Sequence, residues 1–192
     1  LQSFPSLLRK MEPGLAFYQE KMDMKASKSI IQKITASNGG VFTGPGTNSY
    51  LIGTEDITLV DPGPKIDAHL SNLLKLGNNK IKRILVTHTH PDHSPGAKVL
   101  GDKLNVPLMG RLVAKDDSRQ DRTFKPDQTL NHGDTIKTSE YTIEVIHTPG
   151  HASNHLCYLV PEEETMLTGD HIMNGSTVCL LYTSPSPRDV EE

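Results

Sequence analysis

Cysteine is nearly missing from this chain: Cys157 and Cys179 are its two thiols in 192 residues, too few for a disulfide framework. Long apolar runs are missing as well. No stretch approaches the length of a membrane-spanning helix, and Leu1–Lys10 lacks the apolar block of a secretory leader, so no membrane partner and a cytoplasmic location are expected. Neither sign of charge is in excess. A net charge of −3 and a pI near 6.3 give no general electrostatic argument for nucleic acid and leave only a local basic patch as a route to one. A glycine-rich phosphate cradle is also absent, because Gly44-Pro45-Gly46 contains proline and leads into a strand rather than a helix. No internal repeat is visible, and no heptad or dominant apolar patch assigns an oligomeric state.

What the chain has is one crowded segment, Thr87-His88-Thr89-His90-Pro91-Asp92-His93, directly after the apolar run Ile84-Leu85-Val86. The run reads as a buried strand that Pro91 brings to an end. Three imidazoles and a carboxylate so close together are costly as core packing, but they are the neutral nitrogen and hard oxygen donors that a divalent metal takes. His88 and His90 stand two apart, so on an extended backbone they point to one side and can grip one ion. Asp92 and His93 follow the proline, where the chain has turned, and can face a second ion.

Two later segments have the same build, an apolar strand running into a glycine-containing turn. Tyr141–Ile146 leads to His147-Thr148-Pro149-Gly150-His151, and Thr165-Met166-Leu167 leads to Thr168-Gly169-Asp170. Strand ends at one rim of a sheet are where rigid scaffolds present chemistry, so His151 and Asp170 join the candidate donors.

Together, the His88-x-His90-x-Asp92-His93 loop, the Thr148-Pro149-Gly150-His151 turn and Thr168-Gly169-Asp170 resemble the metallo-β-lactamase superfamily hydrolases, over roughly residues 30 to 178. Gly46–Ile52 and Leu59-Val60-Asp61-Pro62-Gly63 resemble the opening strands of that family. Within it the chain is most similar to β-lactamase-like protein 2 and hydroxyacylglutathione hydrolase, through Phe42–Asn48 and Gly169–Met173. The resemblance implies an α/β fold, an αββα sandwich with the site at one rim. It implies a binuclear metal site in which His88, His90 and His151 hold one ion, Asp92 and His93 hold a second, and Asp170 bridges both. Asp61 resembles the family's supporting aspartate, which accepts the free N–H of a ligand imidazole; a simple turn role in Asp-Pro-Gly is the alternative. A carboxylate at Asp170, where antibiotic-degrading members with a second-site cysteine place that residue, argues against a β-lactamase proper.

The implied chemistry is hydrolysis by a metal-held hydroxide, since coordination lowers the pKa of water from 15.7 to about 7. Asp92 is the candidate catalytic residue, orienting that hydroxide and taking its proton. Zinc is the first expectation for the ions, with iron or manganese accepting the same donors. The substrate expected is a small molecule with an ester, thioester or related acyl bond. One alternative is a metal-dependent endoribonuclease acting on single-stranded RNA, and another is a truncated, catalytically silent metal-binding domain.

Other features complete the expectations. The family supplies a further second-site histidine downstream of the bridging aspartate; here no histidine follows His171, and His171 on a strand would point away from the ions. Residues 1–28 read as an N-terminal arm, with Gln19–Lys28 its mobile part, 29–178 as a partial metallo-β-lactamase-fold domain, and 179–192, rich in proline and serine, as a divergent or foreign tail on a shortened chain. Strands are expected at Ser29–Thr35, Ser49–Gly53, Ile57–Val60, Arg83–Val86, Val106–Met109, Thr142–His147, His155–Val160 and Thr165–Leu167. Helices are expected at Lys65–Leu76, with Gly77 as C-terminal cap, at Gly96–Leu104 and near Leu112–Ser118. Ser118–Asp134 reads as an irregular excursion. His69 is placed on a surface helix face, His132 in a turn, His147 in the core or supporting the site, and His155 either at the opening of a strand or in contact with substrate, the first being favoured. Cys157 reads as a small buried thiol.

Overall fold

Ile57-Thr58-Leu59-Val60 is buried at all four positions, as a strand covered on both faces must be. It sits inside a two-sheet architecture. The computed structural model describes residues 29–113 and 119–173; the arm at 1–28, residues 114–118 of the third expected helix, and the tail at 179–192 lie outside them. The described elements are β1 (Ile31–Thr35), β2 (Asn48–Ile52), β3 (Ile57–Val60), α1 (Asp67–Gly77), β4 (Ile81–Leu85), α2 (Pro95–Leu104), β5 (Leu108–Gly110), β6 (Gln128–Thr129), β7 (Thr135–Lys137), β8 (Thr142–His147), β9 (Leu156–Val160) and β10 (Thr165–Leu167). Among the described residues no helix is long and apolar enough to cross a membrane.

One sheet runs β1-β2-β3-β4-β5-β6 and the other β10-β9-β8-β7. The first three strands pair antiparallel, whereas β3 to β6 pair parallel, with Leu59 opposite Ile84 and Ile84 opposite Leu108. Parallel neighbours need a crossover, and α1 and α2 supply the crossovers on either side of β4. The second sheet is antiparallel throughout.

Side-chain alternation divides the apolar residues between two cores. Leu59 and Ile84 face the helices, where Leu70, Leu73, Ala97 and Leu100 meet them. Val60 and Leu85 face the second sheet and pack with Ile143, Val145, Leu156 and Tyr158. Each such buried leucine, isoleucine or valine contributes roughly 1.5–3 kcal/mol. The result is helices on sheet on sheet; the fourth, helical layer expected over the second sheet is not among the described residues.

The sheets are also joined by hydrogen bonds at the C-terminal end of β4. Tyr158 Oη donates to the Val86 carbonyl at 2.7 Å, and Leu156 N–H donates to the Thr87 carbonyl at 2.7 Å. The same end of β4 carries the histidine loop, so these bonds set the approach of the β8–β9 turn to it.

Several local expectations are corrected. α1 ends on Gly77, but its left-handed cap is Asn78 at φ 45°. Gly77 is small for a different reason, because a Cβ there would lie 2.5 Å from Ile81. Leu112 and Val113 are not helical. The stretch read as irregular contains the two-residue β6, and β7 follows it; both are short and mostly exposed, with no apolar alternation to announce them. Gly169–His171 is a 3-10 turn rather than the end of a strand.

Candidate metal centre

Three strand ends build the centre. After β4 the chain runs through Thr87 and His88 to His90, then turns sharply at Pro91-Asp92, with His93 N–H and Ser94 N–H both donating to the His90 carbonyl. Pro95 then opens α2 at the position that tolerates a missing N–H. β8 delivers Thr148 and His151, and β10 delivers Gly169 and Asp170.

His88 Nε2 lies 3.0 Å from His90 Nδ1, and His151 Nε2 lies 2.8 Å from that same Nδ1. One imidazole nitrogen holds either a proton or a lone pair, so it cannot satisfy two ring nitrogens by hydrogen bonding. A cation among the three satisfies all of them. Burial, followed by the neighbouring histidines, holds His88 well below the ordinary imidazole pKa. Burial likewise lowers His90 to about 4, so both rings present neutral nitrogen at physiological pH. The donor set fits a metal ion by its chemistry: three imidazole nitrogens within 4.8 Å of one another.

A second convergence adjoins the first. His88, His93 and Asp170 also place one donor atom each within 4.8 Å of the others. Asp170 Oδ1 stands 3.3 Å from His93 Nε2, while Oδ2 stands 3.4 Å from His151 Nε2. One carboxylate thus reaches a histidine of each group, which is the arrangement a bridging ligand requires. Asp92 Oδ2 lies 3.4 Å from His93 Nε2. All six sequence-named donors, His88, His90, Asp92, His93, His151 and Asp170, are brought into this one neighbourhood, although Asp92 falls outside the tighter second group.

Asp61 fixes ring orientation from beneath. Its Oδ1 accepts the Thr87 N–H at 2.7 Å, and its Oδ2 accepts both the Thr87 hydroxyl at 2.7 Å and His93 Nδ1 at 3.0 Å. Because the Thr87 hydroxyl gives its proton to Asp61, its oxygen is the acceptor for His88 Nδ1, 3.1 Å away. Both His88 and His93 therefore carry hydrogen on Nδ1 and turn Nε2 inward. For His93, burial opposes charge, but Asp61, Asp170 and Asp92 outweigh it and raise the ring's pKa well above the ordinary value. Burial would raise the Asp92 pKa too, yet contact with His93 and the Thr47 hydroxyl holds it far below the carboxylate range. A proton on His93 Nε2 occupies the place a dication would take among these carboxylates.

Several supporting residues carried no sequence signal beyond their polarity. Thr47 donates to Asp92 Oδ2 at 2.9 Å and is itself held by Asn38 in both directions, at 3.0 and 2.9 Å. Asn154 donates to Thr89 Oγ1 and to the Arg111 carbonyl, both at 2.8 Å, and Thr89 also bonds Gln120. Their partners are distant in sequence, so spacing could not reveal them.

The remaining histidines are placed as follows. His69 is not on the surface: it is 5% exposed, with Nε2 2.9 Å from Ser49 Oγ. His155 does precede β9, but its ring is fully buried, stacked 5.0 Å from His88, with Nδ1 3.0 Å from Thr148 Oγ1. His147 Nε2 bonds the Ser153 carbonyl at 3.0 Å. His132 lies exposed in a turn. His171 belongs to neither donor group; its ring lies 6.0 Å from that of His155, and since it sits in a 3-10 turn the strand argument about its direction does not apply. Cys157 is a buried thiol whose pKa burial raises.

Comparison with known proteins identifies the family. An atrochrysone carboxyl ACP thioesterase of Cryptosporiopsis sp. (strain 8999) is 30% identical over 166 residues, covering 84% of this chain and 49% of its own. One of Aspergillus chevalieri is 30% identical over 178 residues, covering 84% and 56%. The chain spans about half the length of the curated relatives it matches. Among solved structures, a metallo-beta-lactamase family protein from Thermus thermophilus superposes with a TM-score of 0.64 at 18% identity, covering 79% of this chain and 62% of that one, and so shares the fold. The sequence profile of the Metallo-beta-lactamase superfamily matches residues 42–191. With its fold, its histidine loop and that match in agreement, the chain belongs to the metallo-beta-lactamase superfamily.

Proposed function

We propose that this protein is a zinc-dependent hydrolase that cleaves a thioester or related acyl bond of a small-molecule substrate. The observation that carries the reading is the approach of His88 Nε2 and His151 Nε2 to the single nitrogen His90 Nδ1. Relatives named as ACP thioesterases favour a thioester over other acyl bonds.

In this reading His88, His90 and His151 would hold one ion, Asp92 and His93 a second, and Asp170 both. Zinc suits a set dominated by imidazole nitrogen. When bound, the ions supply Lewis acidity, making water acidic enough to attack near neutral pH and polarising the carbonyl under attack. The chain's own residues supply order. Asp92 stays ionised and presents an acceptor to the attacking water, while Thr47 and Asn38 stop its carboxylate from rotating. Asp61 and Thr87 hold hydrogen on Nδ1 of His93 and His88 and so aim the Nε2 of each ring inward. Preorganised groups of this kind need no rearrangement as charge develops.

The test is elemental analysis of the purified chain alongside turnover of a panel of acyl thioesters, esters and RNA. Two zinc ions per chain with thioester hydrolysis is the expected result. A chain that binds no ion, or that binds two and leaves every thioester intact, overturns the proposal.

A further inference from the structure

The turn Asp61-Pro62-Gly63 is bonded to His93 twice. Asp61 Oδ2 accepts from the His93 ring at 3.0 Å, and Gly63 N–H donates to the His93 carbonyl at 2.8 Å. The turn is also conformationally demanding, with Asp61 at φ 48° and Gly63 at φ 80°. Left-handed backbone at a residue other than glycine persists where its surroundings hold it. On one side that support is α2, where Gly96 N–H donates to the Gly63 carbonyl at 2.8 Å.

On another side it is His69. The ring projects from α1 and is 5% exposed, and its Nε2 bonds Ser49 Oγ of β2 at 2.9 Å, where Ser49 is fully buried. It packs against the turn so closely that a Cβ on Gly63 would lie 3.3 Å from Nε2. Burial lowers the His69 pKa, against a smaller opposing contribution from the Pro62 backbone. Serine and histidine at this distance could suggest a nucleophile and its base. Both are enclosed between β2 and α1, however, so the pair has no access to substrate and acts as a clamp.

We propose that His69 is a positioning residue: by tying α1 and β2 to the Asp61-Pro62-Gly63 turn, it fixes His93 and so the second metal-ion position. The metal half of this inference rests on the two-ion reading above; the half concerning His93 does not. A histidine that merely filled the core would be replaced without loss by leucine, whose volume is similar and which needs no partner. A histidine that holds the turn is replaced only by a residue that keeps a hydrogen bond to Ser49.

The experiment compares His69→Leu and His69→Gln with the parent chain by two readouts. Metal titration measures each ion separately, and nitrogen-15 NMR of the metal-free protein follows solvent exchange of the His93 Nδ1 hydrogen. His69→Leu is expected to keep the first ion within about twofold, to weaken the second by about tenfold or more, and to speed His93 exchange by at least about tenfold, with His69→Gln recovering part of each. Unchanged second-ion affinity and unchanged exchange in His69→Leu overturn the proposal, as does an equal loss of both ions with exchange unaltered. If His69→Leu does not fold, Ser49→Ala removes the same hydrogen bond and is judged by the same outcomes. A parent that binds no second ion defeats the two-ion reading, and the exchange measurement then decides the role of His69 by itself.

Discussion

Asp61 and His93 are joined by a buried 3.0 Å contact between Oδ2 and Nδ1, with side chains 3% and 5% exposed. The same oxygen accepts the Thr87 hydroxyl, which in turn accepts His88 Nδ1. A single carboxylate therefore sets the tautomer of one histidine in each donor group.

Asp61→Asn tests that role. The amide nitrogen is a donor, and in place of Oδ2 it would face His93 Nδ1–H and the Thr87 hydroxyl, donors that need an acceptor. The rings would have to rotate or change tautomer, turning hydrogen toward the ions. We expect metal affinity to fall by roughly 10–100-fold, the usual cost of losing such a partner. Competition with a chelator checks this, and retention of both ions at parental affinity would refute it.

Asp92 and Asp170 separate catalysis from retention. Asp92→Asn keeps the shape of the side chain but loses the charge that orients water, so turnover should drop by on the order of 10²–10⁴-fold with the fold intact. His90→Ala should drop it comparably, since His90 Nδ1 is the meeting point of the first group. Asp170→Ala should lose ions first, because each of its oxygens faces a different group. Equal turnover of Asp92→Asn and parent at matched metal loading contradicts the first assignment, and undiminished metal stoichiometry in Asp170→Ala contradicts the last.

The local parts of this site were legible in the sequence and the long-range parts were not. His88 and His90 two apart, Asp92 and His93 beyond a proline, and His151 and Asp170 at strand ends each carry a local signal. So do β3, β8 and β10, whose apolar runs have the observed bounds. Thr47, Asn154 and Gln120 act through partners tens of residues away and look like ordinary polar residues in sequence. His69 was misread because its helix has apolar leucines enough to define a buried face without it. Its burial depends on β2 and the Asp61 turn, which no helical periodicity encodes. The 3-10 turn at Gly169–His171 was hidden because an apolar run reveals where a strand starts better than how it ends.

Acid should destabilise the metal-free protein. Burial, the leading cause in each case, lowers His90 to about 4 and His155 to about 3, while the unfolded chain takes up those protons near the ordinary value of 6.5. Between these values the unfolded state binds more protons, so stability rises with pH and falls as acid is added. His93 contributes in the opposite sense, since its raised pKa gives stability that is complete below 6.5 and is lost as pH rises through its folded value. Within the window from about 6.5 to about 4 His93 is protonated in both states and is silent. Melting temperatures of the metal-free chain should decline across that window, and a flat profile would show that these rings are not held neutral.

Gly169→Ala probes the packing beneath the Asp170 carboxylate. Gly169 has φ 47°, and a Cβ there would lie 2.8 Å from both His155 Nε2 and Thr87 Oγ1. Backbone would resist the left-handed conformation, and neither neighbour can move freely, since His155 is held by Thr148 and Thr87 by Asp61. The variant should therefore lose about 1–3 kcal/mol of stability and shift Asp170 relative to His93 and His151. Serine at the same position meets the same two atoms, so its hydroxyl should not rescue. Denaturant unfolding of the metal-free chain measures the first effect and metal titration the second; an alanine variant as stable as the parent, with both ions retained, would mean that the turn relaxes without cost to the site.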